Sequence, residues 1–241
     1  MDLSTTYLGF TLPHPLMPGA SPLVDDLDTV RRLEDAGAAA IVMHSLFEEQ
    51  IVHEQLTTLA HAETHAYAHQ EARSYLPEPD AFALGPDAYL EQLRRIKAAV
   101  RVPVIASLNG TSLGGWLDYA RLLEQAGADA LELNVYQLAT DPTESAQQIE
   151  ERTIEMVRAV RAAIAIPLAV KLSPFHTSLT HFARRLDAAE PAGVILFNRF
   201  YQPGIDIEEL TVRRELHLSD SAELPLRLRW TAILAPQVRA S

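Results

Sequence analysis

Three segments leave a helix through the same short phrase and enter the same kind of apolar run: "EDAGAAAIVMHS" (34–45), "EQAGADALELNV" (124–135) and "AAEPAGVILFNR" (188–199). Their glycines, Gly37, Gly127 and Gly193, suit the left-handed turn that closes a helix, where a Cβ would clash. Two more segments, "AAVRVPVIASLNG" (98–110) and "AAIAIPLAVKLSP" (162–174), pass from a helix through a β-branched residue and proline into a strand. Proline is tolerated there because the N–H it lacks falls outside the central ladder. The runs are apolar throughout rather than alternating, as in parallel strands covered on both faces. Between them, "LDTVRRLEDA" and "PDAYLEQLRRIKAAV" space Val30 and Leu33, then Leu90, Leu93, Ile96 and Val100, along single helical faces. An α/β chain of repeated βα units follows.

With "PLMPGAS" (15–21) as a first strand, six βα units can be counted, and the simplest architecture is most of a (β/α)8 barrel in a single domain, 1–241. A doubly wound sheet would carry a Gly-rich phosphate turn after its first strand, which is missing. Two units of roughly 30 residues each are wanting, so the expectation is an incomplete, TIM-type barrel belonging to a longer chain. Insertions at 46–86 and 199–224 each follow a strand and so stand over the C-terminal face, where such barrels bind ligands. The first reads as helix followed by a covering loop. In the second, Ile205, Ile207, Val212, Leu216 and Leu218 alternate as in a protruding hairpin.

A net charge of −12 argues against nucleic acid and anionic membranes as partners. The absence of cysteine excludes disulfides, thiolate metal sites and thiol nucleophiles. With no signal-like start and no run of roughly 18 apolar residues, a soluble cytoplasmic protein is expected. His61, His65 and His69 share one predicted helix face, but no matching carboxylate accompanies them, so no metal is expected.

Polar residues gather at the predicted strand ends: Ala20–Ser21, His44–Ser45, Ser107 and Asn109, Glu132 and Asn134, Lys171 and Ser173, and Asn198–Arg199. Paired amides hydrogen-bond planar heterocycles through donor and acceptor edges, and a lysine supplies positive charge where negative charge develops. A lysine in a buried strand needs a partner. The residues alone leave Lys171 two: Glu132 one strand away, or an electron-rich ligand. Asn134 and Asn198 read equally as helix caps, and Asn109 as turn chemistry before Gly110.

"SLNG", "LELN", "AVKLSP" and "FN", in that order after "TYLGFTLPHPLMPGASP", resemble the dihydroorotate dehydrogenase family of FMN-dependent barrels. The resemblance implies an FMN oxidoreductase that passes a hydride between a C–C bond of a small heterocycle and flavin N5, in pyrimidine biosynthesis. It implies that Ala20, Ser21, Asn109, Asn134, Lys171 and Asn198 bind the cofactor, with Lys171 at the flavin's pyrimidine end. It also allows a homodimer of the full-length protein. The chain departs from the family where the substrate binds. The family's catalytic Cys or Ser position matches Gln137, its second lysine matches Met43 beside His44, and its asparagine-rich substrate loop has no counterpart in "ARSYLPEPDAFALG". The base is therefore unassigned, with Tyr136, Ser112, Thr111 and His44 as candidates. The family's last two strands, which hold the FMN phosphate, are not found in 200–241. Two other classes stay open: an inactive, flavin-free barrel fragment, and a lyase using Lys171 as a Schiff base.

Overall fold

A computed structural model describes residues 1–47, 86–109, 113–135, 139–198, 204–213 and 219–241. An antiparallel hairpin, β1 (Thr5–Tyr7) and β2 (Phe10–Leu12), opens the chain, followed by a 3-10 turn (Pro22–Val24) and α1 (Leu27–Asp35). Then come β3 (Ile41–Phe47), α2 (Pro86–Ala99), β4 (Val104–Asn109), α3 (Leu113–Gln125), β5 (Ala130–Asn134), α4 (Ala146–Ala163), β6 (Leu168–Leu172), α5 (Leu179–Asp187) and β7 (Gly193–Leu196). A second hairpin, β8 (Gly204–Asp206) and β9 (Thr211–Arg213), precedes α6 (Leu224–Leu234).

Strands β3 to β7 form one parallel sheet in strict chain order. Successive side chains of a strand point to opposite faces, and the two faces are covered differently. Ile41, Met43, Val104, Ala106, Leu131, Leu133, Val170 and Leu172 pack on one side with helix residues such as Leu93, Leu123, Val157 and Phe182. Val42, Ile105, Ala130 and Ala169 face the other way, where Leu8 of the opening hairpin covers them with Tyr7 and Phe10 alongside. Among the described residues, helices thus lie on one face only and the strand order never reverses. A doubly wound sheet would show both helical faces and a reversal; this sheet is singly wound. Each fully buried Leu or Phe of the helical layer contributes about 2 kcal/mol.

Local chemistry sets the element ends. Asp26 caps α1, its carboxylate accepting from the backbone N–H groups of Asp28 and Thr29. Ser145 and Gln148 form a reciprocal capping box at the start of α4. Gly37 (φ 91°) and Gly127 (φ 98°) take the left-handed turns after α1 and α3, as their segments predict. The third segment differs. Glu190 (φ 57°) holds the left-handed position after α5, and Gly193 is instead the first residue of β7. A Cβ on Gly193 would stand 2.6 Å from Leu8 Cδ2 and 3.2 Å from the Ser241 carbonyl, so this glycine serves close approach rather than turn geometry.

Two further expectations are corrected. Residues 15–21 do not form a strand, so the described parallel strands number five rather than six. Pro13, Pro15 and Pro18 have no N–H to give a ladder, and one rung is formed, from Ala39 N–H to the Leu16 carbonyl at 3.0 Å. The first insertion begins later than 46, because β3 continues to Phe47. The rest of that insertion, including His61, His65 and His69, lies outside the described residues, as do Leu216 and Leu218. The predicted hairpin is present, with Ile205 opposite Val212. No helix among the described residues is long and apolar enough to cross a membrane.

Candidate functional site

Strand register lines up the polar residues of the inner face. Asn109 stands beside Asn134, and Asn134 beside Lys171, along the C-terminal ends of β4, β5 and β6. One pleat deeper, Ser45 stands beside Ser107, and Ser107 beside Glu132. The sequence names all six residues at strand ends; their division into two rows emerges only with the register.

The deeper row is a continuous hydrogen-bonded chain. Lys171 Nζ donates to Glu132 Oε1 at 3.2 Å, and Ser107 Oγ donates to the same oxygen at 3.3 Å. Ser107 has one hydroxyl proton, so with that proton on Glu132 it must accept from Ser45 Oγ, 2.8 Å away. The side chain of Glu132 is 5% exposed and that of Lys171 16%. Lys171 therefore takes the first of the two partners its sequence left open: its backbone stands in register with Asn134, and its ammonium reaches the deeper Glu132. Tyr7 rises beneath from the hairpin. Burial pushes its phenol well above the usual range, and the negative charge of Glu132 pushes it further.

Asn109 and Asn134 are each 7% exposed, and Asn134 Oδ1 has no hydrogen-bond partner among the described residues. A buried acceptor left unmatched costs about 1–3 kcal/mol, so this oxygen is suited to a ligand N–H. The capping role does not apply to Asn134, since α4 is capped by Ser145. Asn198 is half-buried and extends the ladder past β7, its backbone N–H donating to the Leu172 carbonyl at 2.7 Å. Ala20 packs against the inner-face cluster, and the buried Ser21 Oγ also has no described partner.

The middle of β3 carries a bulge. Its register against β4 shifts between Val42 and Ser45, and Tyr89 of α2 fills the break. The Tyr89 hydroxyl accepts from Ser107 N–H at 3.1 Å and donates to the His44 carbonyl at 2.9 Å, replacing the missing rung. The His44 ring meets Tyr89 edge-on, and its Nδ1 lies 2.6 Å from Asp25 Oδ1, off the line of a hydrogen bond. Met43 is fully buried on the helix-covered side, so the position matched to the family's second lysine faces away from the inner row. Tyr136, Gln137, Ser112, Thr111 and Arg199 lie outside the described residues.

A separate cavity of about 460 Å³ opens beside the start of α4, lined by Val135, Ile149, Phe175, His176 and Phe182 among others. His176 stacks on Phe182 at 4.4 Å, and burial pushes its pKa down. None of the predicted cofactor-binding residues lines it. No group of three metal-ligating side chains occurs among the described residues.

Fold and site together define an α/β protein with a singly wound parallel sheet and a polar row of amides and one ammonium at its strand ends. No protein-family model matches the chain. Among curated proteins it is 25% identical over 216 residues to the catalytic subunit of dihydroorotate dehydrogenase B (NAD(+)) from Thermoplasma acidophilum, covering 86% of this chain and 65% of that protein. It is 25% identical over 183 residues to the NAD-dependent dihydropyrimidine dehydrogenase subunit PreA of Escherichia coli K12, covering 72% and 42%. Dihydroorotate dehydrogenase A (fumarate) from Lacticaseibacillus paracasei is 30% identical over 151 residues, covering 57% and 49%. The chain thus spans from about two fifths to just under two thirds of these relatives' lengths. Among solved structures, a dihydrodipicolinate synthase from Agrobacterium tumefaciens matches with a TM-score of 0.48 at 16% identity, over 93% of this chain and 58% of that one. The chain is a divergent relative of the dihydroorotate dehydrogenase proteins.

Proposed function

We propose that this chain supplies the flavin-ring side of an FMN oxidoreductase of the dihydroorotate dehydrogenase type, acting on a small heterocycle, and that its sheet is part of a (β/α)8 barrel wall. The observation that carries this reading is the register-matched row Asn109–Asn134–Lys171, with Asn134 Oδ1 buried and without a partner among the described residues. An acceptor beside an ammonium donor is complementary to a planar edge that presents an N–H next to a carbonyl. The pyrimidine end of a flavin has such an edge, so these residues fit the group.

In this reading Asn134 accepts the ring N–H, Lys171 donates to the neighbouring carbonyl, and Asn109 and Asn198 flank the ring. Ala20 and Ser21 close the site from the segment before α1. When bound, the flavin supplies hydride acceptance at N5 from a C–C bond of the substrate. The chain orients the ring and stabilises negative charge at its pyrimidine end. His44 is the one base candidate among the described residues. Lys171 Nζ is held by Glu132 at 3.2 Å, a contact that a Schiff-base lysine would have to give up to reach a carbonyl.

The test is the absorbance spectrum of the purified chain, before and after incubation with FMN and removal of the excess. Flavin bands that stay with the protein support the reading; a colourless protein overturns it. Trapping of a carbonyl compound on Lys171 by borohydride would favour the lyase instead.

A further inference from the structure

The row beneath the rim contains a buried carboxylate that the flavin reading alone does not use. Glu132 is 4% exposed and sits in the middle of a strand whose other residues are almost all apolar. Burying a carboxylate is costly unless it is paired and hydrogen-bonded. Here it is both, by Lys171 and by the Ser45–Ser107 hydroxyl relay, across four adjacent strands. Three side chains are thus committed to fixing one anion, the Lys171 ammonium among them.

We propose that Glu132 is a positioning residue that fixes the Lys171 ammonium and offsets part of its charge. Resting on the flavin reading, this sets how strongly the site favours negative charge on the bound ring. Without Glu132, the ammonium would be a full positive charge in a low-dielectric setting, where its attraction for an anion is greatest. With Glu132, the pair is close to neutral, and the site accepts a neutral edge while giving moderate help to an anionic one. The Ser45–Ser107 relay keeps the carboxylate from following the ammonium outward. Glu132 touches neither ring nor substrate in this scheme; it acts through Lys171.

Two measurements test this. In the ligand-free chain, a double-mutant cycle of Glu132→Gln and Lys171→Met on unfolding should show coupling of at least about fivefold in the unfolding constant. Additive effects would overturn the pairing and the proposal with it. In the flavin-loaded chain, the probe is sulfite, which adds reversibly to oxidised flavin and leaves negative charge at the pyrimidine end. Glu132→Gln should tighten sulfite binding by about tenfold, while Glu132→Asp, which keeps the charge, should return it towards the wild-type value. A flavin-loaded Glu132→Gln protein whose sulfite affinity is unchanged or weaker overturns the proposal and leaves the flavin reading standing. A wild-type chain that takes up no flavin overturns that reading, and this proposal with it.

Discussion

Replacing Tyr89 by Phe removes one oxygen from a residue that is 0% exposed and leaves the ring in place. That oxygen stands in the bulge of β3, accepting from Ser107 N–H at 3.1 Å and donating to the His44 carbonyl at 2.9 Å. Ser107 is itself 0% exposed, so water cannot replace the lost acceptor without opening the sheet. An orphaned buried N–H costs about 1–3 kcal/mol and the lost bond to the carbonyl about 1 kcal/mol. Phenylalanine recovers a little by not desolvating a hydroxyl, which leaves about 2–3 kcal/mol. For a chain of this size each kcal/mol lowers the melting temperature by about 2–4 °C, so a fall of about 4–12 °C is expected. Urea unfolding should show a lower midpoint with an unchanged slope, since the surface exposed on unfolding is the same. A loss below about 0.5 kcal/mol would refute the idea that the phenol bridges the two strands.

The fastening of the C-terminal tail gives a pH-dependent test. Burial alone would raise the Asp187 pKa, but the backbone N–H groups of Arg239 and Ala240 and the Arg239 guanidinium outweigh it and hold the carboxyl below its ordinary value. A depressed folded pKa contributes stability above the unfolded value of 3.8, lost as pH falls through the folded pKa. Asp187→Asn should therefore cost about 2 kcal/mol at neutral pH, and its deficit in melting temperature should close as the pH drops below 3.8; a deficit independent of pH would contradict this. Gly193→Ala should destabilise by about 1–3 kcal/mol through overpacking against Leu8. Adding Leu8→Ala should recover part of that loss in the same melt, and strictly additive losses would show that the two do not meet.

The helix–glycine–strand phrases made the parallel sheet legible, because the glycines after α1 and α3 and the unbroken apolar runs each have one economical structural use. The same phrase misread Gly193, since a glycine kept small for a neighbour looks in sequence like a glycine kept for its φ. The stretch 15–21 carries strand-like apolar residues, but its prolines withhold the N–H groups that pairing requires. In the site, strand ends picked out Asn109, Asn134 and Lys171. The Ser45–Ser107–Glu132 relay was not legible, because it depends on which residues of separate strands fall side by side. One signal was present: a glutamate inside "ALELN", where neighbouring positions are apolar, asks for a buried partner just as Lys171 does.

The flavin proposal turns on Asn134 and Lys171 presenting an acceptor and a donor to one planar edge. Its most direct measurement is a fluorescence-quench titration with lumiflavin, the flavin ring without its phosphate chain, on the wild-type chain and on Lys171→Met and Asn134→Ala. Saturable binding by the wild type is expected, weakened about tenfold or more by each substitution, as loss of a charge-assisted or buried hydrogen bond requires. Wild-type binding unaffected by both substitutions, or no binding at all, would contradict it.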